Sequence, residues 1–94
     1  MQDFKLSVIV PIYNEEEVLP RSYERFKKAL DALACRYELI YIDDGSADDS
    51  FIILEDICAK DERVKALRFS RNFGHQLAVT AGMDEADGDF ADFF

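Results

Sequence analysis

Three short stretches hold most of the residues whose types and spacing suit chemistry. "YIDDGS" (residues 41–46) ends an apolar run in two adjacent carboxylates, Asp43 and Asp44, followed by Gly45 and Ser46. Like charges side by side repel, and Asp-Gly is a common way to leave a strand, so the pair can be no more than a turn. An acid at the carboxyl end of a parallel strand is also placed to grip ribose hydroxyls or a base N–H. "PIYNEE" (residues 11–16) offers Pro11 and Tyr13 as one wall against a flat ring, with Glu15 as a hydrogen-bond acceptor. Equally, Pro11 can end a strand, Tyr13 can pack and Glu15 can complement a helix dipole. "SRNFGH" (residues 70–75) is the cationic stretch, with Arg68, Arg71 and His75 around Asn72-Phe73-Gly74. Standing just ahead of a predicted helix, it suits anions such as phosphate, or serves only as a solvated turn.

Other chemistries lack their residues. No G-x-G-x-x-G follows the first apolar run, so a dinucleotide pyrophosphate has no glycine cradle. Paired acids that support phosphoryl acceptance would follow the first strand, with an Asp after the third, where Ser70 and Arg71 stand. A single His and the lack of a G-x-S-x-G elbow leave no nucleophile triad. Cys35 and Cys58 form no C-x-x-C pair and have no nearby His, so neither zinc nor a disulfide framework is indicated and a reducing, cytoplasmic setting is the default expectation.

Composition narrows the partners. The 94 residues carry 11 basic and 20 acidic side chains, a net charge of -9, which argues against a nucleic-acid polyanion. Hydrophobic residues at 49% and charged residues at 33% describe one small globular domain with a single core. The apolar start lacks a basic leader and a cleavage site, and reads as a buried strand.

The elements that must position these stretches alternate. Residues 6–12, 37–42 and 64–69 are short β-branched or aromatic runs of the kind covered on both faces. Between them, helices are predicted over 20–34, with Tyr23, Phe26, Leu30 and Leu33 on one stripe, and over 49–60, with Ile53, Leu54, Ile57 and Cys58 facing the sheet. Asn14 is the expected N-cap of the first helix, and Ser46 or Asp48 of the second. A third helix is predicted over 75–86; "ADGD" breaks it and "FADFF" begins a fourth strand. Such alternation predicts an α/β fold, a three-layer α/β/α arrangement with a mostly parallel sheet, the first strand in the middle. The three stretches then share the carboxyl edge of that sheet.

On "VIVPIYNEE" at 8–16, "YIDDGSADDS" at 41–50 and "RFSRNFGHQLAVTAGMDEADGD" at 68–89, the sequence resembles the family-2 glycosyltransferases of GT-A fold. It is most similar to the branch of dolichyl-phosphate mannose synthase and the undecaprenyl-phosphate sugar transferases of cell-wall and glycolipid biosynthesis. The resemblance implies the N-terminal, nucleotide-sugar-binding half of a Rossmann-like domain, with Pro11, Tyr13, Glu15 and Asp43 or Asp44 lining the nucleoside pocket. Arg71 and Asn72 would lie near the donor. It further implies an inverting transfer to a polyprenyl phosphate, whose anionic oxygen needs no strong base, at the cytoplasmic face of a membrane. Mg²⁺ or Mn²⁺, held by a D-x-D motif, would stabilise the departing diphosphate.

The chain departs from that pattern after Gly88-Asp89, which leads toward D-x-D in the family. "FADFF" follows instead, and Asp92 alone is a poor substitute. Residues 1–94 are therefore expected to be a truncated part of the domain, with no metal ligands, no assigned catalytic residue and no turnover of their own. The contrasting reading is a non-catalytic nucleotide-binding fragment that self-associates through the open edge of its fourth strand.

Overall fold

The computed structural model describes residues 4–93, the side chains of 92 and 93 excepted. Four strands, β1 (Lys5–Ile12), β2 (Arg36–Asp43), β3 (Val64–Arg68) and β4 (Phe90–Phe93), alternate with α1 (Leu19–Ala32), α2 (Ser50–Lys60) and α3 (His75–Glu85). Every strand pairing is parallel and the order is β3-β2-β1-β4. The expected middle place of the first strand is not found: of the first three strands it is β2 that lies between the others. β1 becomes internal only because β4 pairs along its other side.

Strand alternation separates two cores. Val8, Val10, Leu39 and Tyr41 meet Leu19, Leu30, Leu54 and Ile57 of α1 and α2. Ile9, Ile40 and Ile42 point the other way, against Ala78 of α3. The three layers follow directly from this period of two. α3 lies so close to the sheet that a methyl at Gly82 would collide with the Ile9 side chain.

Two expectations about α1 change. It stops at Ala32, and Ala34 takes the left-handed conformation at φ 57, so Leu33 leaves the predicted stripe and is exposed. Asn14 is no cap: it sits at φ 51, residues 15–18 form a turn closed by Val18 and Leu19 N–H groups donating to the Glu15 carbonyl, and the N-cap is Val18. Pro20 falls in the first turn, where its missing N–H costs nothing.

At the amino edge of the sheet, β2 carries a buried charge. Glu38 Oε2 accepts from Ser7 Oγ at 2.6 Å and from the Asp87 N–H at 2.7 Å, while Oε1 faces Lys65 Nζ at 2.8 Å. Ser7 Oγ in turn accepts from the Gly88 N–H at 2.8 Å. One carboxylate thus ties β1, β3 and the turn leading into β4 to β2. Burial acts to raise the Glu38 pKa, but the bonds from Lys65, Ser7 and the Asp87 N–H outweigh it and hold the group below its ordinary 4.5. A depressed folded-state pKa contributes stability above pH 4.5 that is lost as pH falls through the lower folded value. Glu38→Gln is therefore expected to destabilise the fold by about 1–3 kcal/mol at pH 7 and to flatten the acid limb of stability against pH. Denaturant titrations from pH 7 to pH 3 check both effects.

Candidate functional site

The parallel strands bring three loops to one edge: a first after Ile12, a second after Asp43 and a third after Arg68. The second loop holds the other two. Asn14 N–H donates to Ser46 Oγ at 2.9 Å, and Asn14 Oδ1 accepts from the Ala47 N–H at 2.7 Å. Glu15 N–H donates to Ser50 Oγ at 2.9 Å, and Glu16 N–H to Asp48 Oδ2 at 3.2 Å. On the opposite side, the Phe69 N–H donates to the Asp43 carbonyl at 2.9 Å. The expected caps of α2 are thereby reassigned. Its N-cap is Asp49, which makes no side-chain cap bond; Ser46 serves the first loop, and Asp48 Oδ1 accepts from the Ser50 N–H and hydroxyl.

Asp43 and Asp44 do different work. Asp43 is fully buried as the last residue of β2, and its Oδ1 accepts from the Ser46 N–H, three residues on, at 2.8 Å, closing the turn that leaves the strand. Its Oδ2 is buried without a hydrogen-bond partner among the described residues. Asp44 has both oxygens engaged by the third loop: Oδ1 accepts from the Phe73 N–H at 2.8 Å and Oδ2 from the Gly74 N–H at 3.1 Å. Gly45, at φ 77, lies directly against the backbone of Arg71 and Asn72, where any side chain would collide.

Of the remaining residues singled out by sequence, Pro11 is half-buried and Tyr13, Glu15, Arg71 and Asn72 are exposed on this edge. Glu15 opens on a cleft of about 470 Å³ with Glu16, Glu17 and Asp48. Burial, then the charge of Asp48, pushes the Glu15 carboxyl above its ordinary value. Arg68 lies in a separate cavity of about 250 Å³ with Gly45, Ser46, Phe69 and Ser70, its guanidinium over the Phe51 ring at 5.0 Å. Tyr13 and Asp43 line neither of these two cavities. His75 is the first residue of α3. Sequence inspection missed Asn14, Ser46, Asp48 and Ser50 as the links between loops. The Asp48–Ser50 pair is the one local bond among them; their partners in the first loop are about 30 residues away.

No three carboxylate, His or Cys side chains among the described residues are grouped so as to hold a metal ion. The acids of the Glu15 cleft therefore do not constitute a cation site. Asp89 lies at the amino edge, its carboxylate accepting from the Lys5 N–H at 2.9 Å, and the Asp92 side chain falls outside the described residues.

Residues 7–94 match the family model described as glycosyl transferase family 2. The chain belongs to that family. Among its relatives, YkcC of Bacillus subtilis, an uncharacterised glycosyltransferase, is 51% identical over 82 residues, 87% of this chain and 25% of the relative. The undecaprenyl-phosphate 4-deoxy-4-formamido-L-arabinose transferase of Proteus mirabilis is 46% identical over 86 residues, covering 90% of this chain and 26% of that one. A prophage bactoprenol glucosyl transferase homolog of Escherichia coli is 38% identical over 85 residues, with 90% and 28% covered. The crystal structure of S. aureus TarS 1–349 superposes with a TM-score of 0.79 at 25% identity over 96% of this chain and 26% of that one; its complex with UDP-GlcNAc gives 0.73 at 27%, with 95% and 25% covered. This family-2 glycosyltransferase chain spans about a quarter of the length of the curated relatives it matches. Its fold is that of GT-A enzymes, as the sequence resemblance implied.

The packing of the second loop on the third gives a local test. Gly45→Ala forces a Cβ into the Arg71–Asn72 backbone at a positive φ and is expected to cost about 1–3 kcal/mol, displacing residues 70–75. Gly74→Ala, at φ 103 but with nothing within 4 Å of an added methyl, should cost less. Paired thermal melts and amide spectra of the two variants measure the difference.

Proposed function

We propose that this chain is the donor-nucleotide part of an inverting glycosyltransferase that moves a sugar from a nucleoside-diphosphate sugar to a polyprenyl phosphate. The observation that carries the reading is the strand-end edge itself. There one buried acid, Asp43, keeps a free acceptor oxygen while the second loop fixes both neighbouring loops around it. In this reading Asp43 accepts a base or ribose donor, Pro11 and Tyr13 flank the nucleoside, Glu15 accepts a further hydrogen bond, and Arg71 and Asn72 face the donor's charged half. The acceptor class comes from relatives named for undecaprenyl phosphate and bactoprenol.

Transfer itself belongs to the complete enzyme, which we place at the cytoplasmic face of a membrane. Among the described residues no helix is long and apolar enough to cross one. Mg²⁺ or Mn²⁺ is the cation that the family resemblance implies for departure of the diphosphate. The described residues hold no such site, so no step of the reaction is assigned to them through a metal.

Calorimetric titration of the 94-residue chain with UDP and GDP tests the reading. One of the two is expected to bind, and Asp43→Ala should weaken it by about 1.5–3 kcal/mol. Unchanged affinity in that variant would return the motif to a plain turn. Incubation with a nucleotide sugar, Mg²⁺ or Mn²⁺ and a polyprenyl phosphate is expected to give no transfer; metal-dependent turnover would refute that part.

A second reading is favoured by β4, which pairs only with β1 among the described strands and leaves Phe90 61% exposed. Such an edge can add a strand from another copy. Light scattering should then show a mass that rises with concentration, and a constant monomer mass would remove the reading.

A further inference from the structure

The two acids of "YIDDGS" look interchangeable in sequence, yet the structure gives them different partners. We infer that Asp44 is a positioning residue, not a nucleotide ligand, and that it presents Arg71 to the donor through Phe73. The inference rests on the nucleotide-binding reading above.

Asp44 spends both oxygens on consecutive backbone amides, those of Phe73 and Gly74. Two charge-assisted bonds from one carboxylate fix the direction of the chain as it enters α3, and they place a negative charge at the amino end of that helix. The residue they fix most closely is Phe73. Its ring meets Phe69 edge-on at 5.5 Å between centroids, so the ring is held from its own loop as well. The Arg71 guanidinium lies over the Phe73 ring, 4.8 Å from its centroid. A guanidinium stacked on an aromatic face keeps its hydrogen-bonding rim free for an anion.

From the other side, the Gly45 backbone abuts Arg71 and Asn72 with no room for a side chain. Arg71 is therefore set by a short physical chain: Asp44 carboxylate, Phe73 amide, Phe73 ring, guanidinium. Asp44 itself is 5% exposed and each of its oxygens already accepts a backbone N–H, in contrast to Asp43 Oδ2.

The role predicts coupling rather than a separate contribution. UDP and GDP are titrated against the 94-residue chain and its Asp44→Ala, Asp44→Asn, Phe73→Leu, Arg71→Ala and Asp44→Ala/Arg71→Ala variants, with Asp43→Ala and Asp43→Ala/Arg71→Ala in parallel. Amide exchange at residues 73 and 74 is followed without ligand. Asp44→Ala is expected to speed exchange at both amides and to weaken the binding nucleotide about tenfold or more. In the Arg71→Ala background its added effect should fall within about twofold, whereas Asp43→Ala should keep its full effect there. Asp44→Asn, which retains one acceptor, should recover part of the loss. Phe73→Leu should reproduce the loss of affinity with the backbone latch intact, which keeps the inference testable if Asp44→Ala does not fold.

Additive losses for Asp44 and Arg71, or unchanged exchange at residues 73 and 74, would overturn the relay and make Asp44 a direct ligand. That outcome leaves the nucleotide reading standing, provided Asp43→Ala still weakens binding. Failure of the unsubstituted chain to bind either UDP or GDP would instead overturn the nucleotide reading and the relay's purpose together.

Discussion

A strand that is bonded along both edges and covered on both faces has nowhere to put a charge unless other segments come to it. β2 is that strand, buried from Tyr37 to Asp43, and it carries two carboxylates, Glu38 at one end and Asp43 at the other, with buried Asp44 the next residue along. Burying an ion without partners costs several kcal/mol, so each acid dictates where its donors must be. Glu38 recruits Ser7, Lys65 and the turn at residues 87–88. Asp43 closes its own turn onto Ser46, and Asp44 draws in residues 73 and 74. The apolar contacts hold the layers together, but these acids fix which turn meets which strand end.

That division bears on what a sequence can reveal. The layers were legible because β-branched runs and helical stripes alternate, and the structure returns each element within a few residues. Strand order was less so. β1 and β2 are both apolar on two faces, and nothing local tells which of them borders β3; pairing of Leu39 with Val64 and of Leu6 with Phe90 decides it. Leu33 falls on the helical stripe by periodicity, which cannot see a chain turning at Ala34, a residue with no intrinsic liking for a positive φ.

The site shows the same contrast. Convergence of three loops on one edge follows from parallel strands and is readable in the alternation of elements along the sequence. The roles within them were not, since Asp43 and Asp44 differ only in their partners. One oxygen of Asp43 is left over, while both oxygens of Asp44 meet amides 29 and 30 residues downstream. Ser46, a cap candidate in sequence because hydroxyls near a helix start usually are, and Ser50, the first residue of α2, both present hydroxyls here. Here the first loop competes for them, and its otherwise orphaned amides at Asn14 and Glu15 take both hydroxyls.

The leftover oxygen has an energetic consequence. A buried acceptor with no donor costs about 1–3 kcal/mol relative to one that is satisfied. Asp43 Oδ2 sits at the end of the most constrained strand, where it cannot turn to solvent without breaking the bond from Ser46. On the proposed reading, a nucleoside N–H or hydroxyl that reaches it recovers that cost without reorganising the protein. The donor gains affinity from a penalty already incurred in folding. Asp44 offers no such gain, because its two bonds are made whether or not a ligand is present. Adjacent acids of equal charge are thus separated by hydrogen bonding alone into one that holds the site together and one that is left open to it.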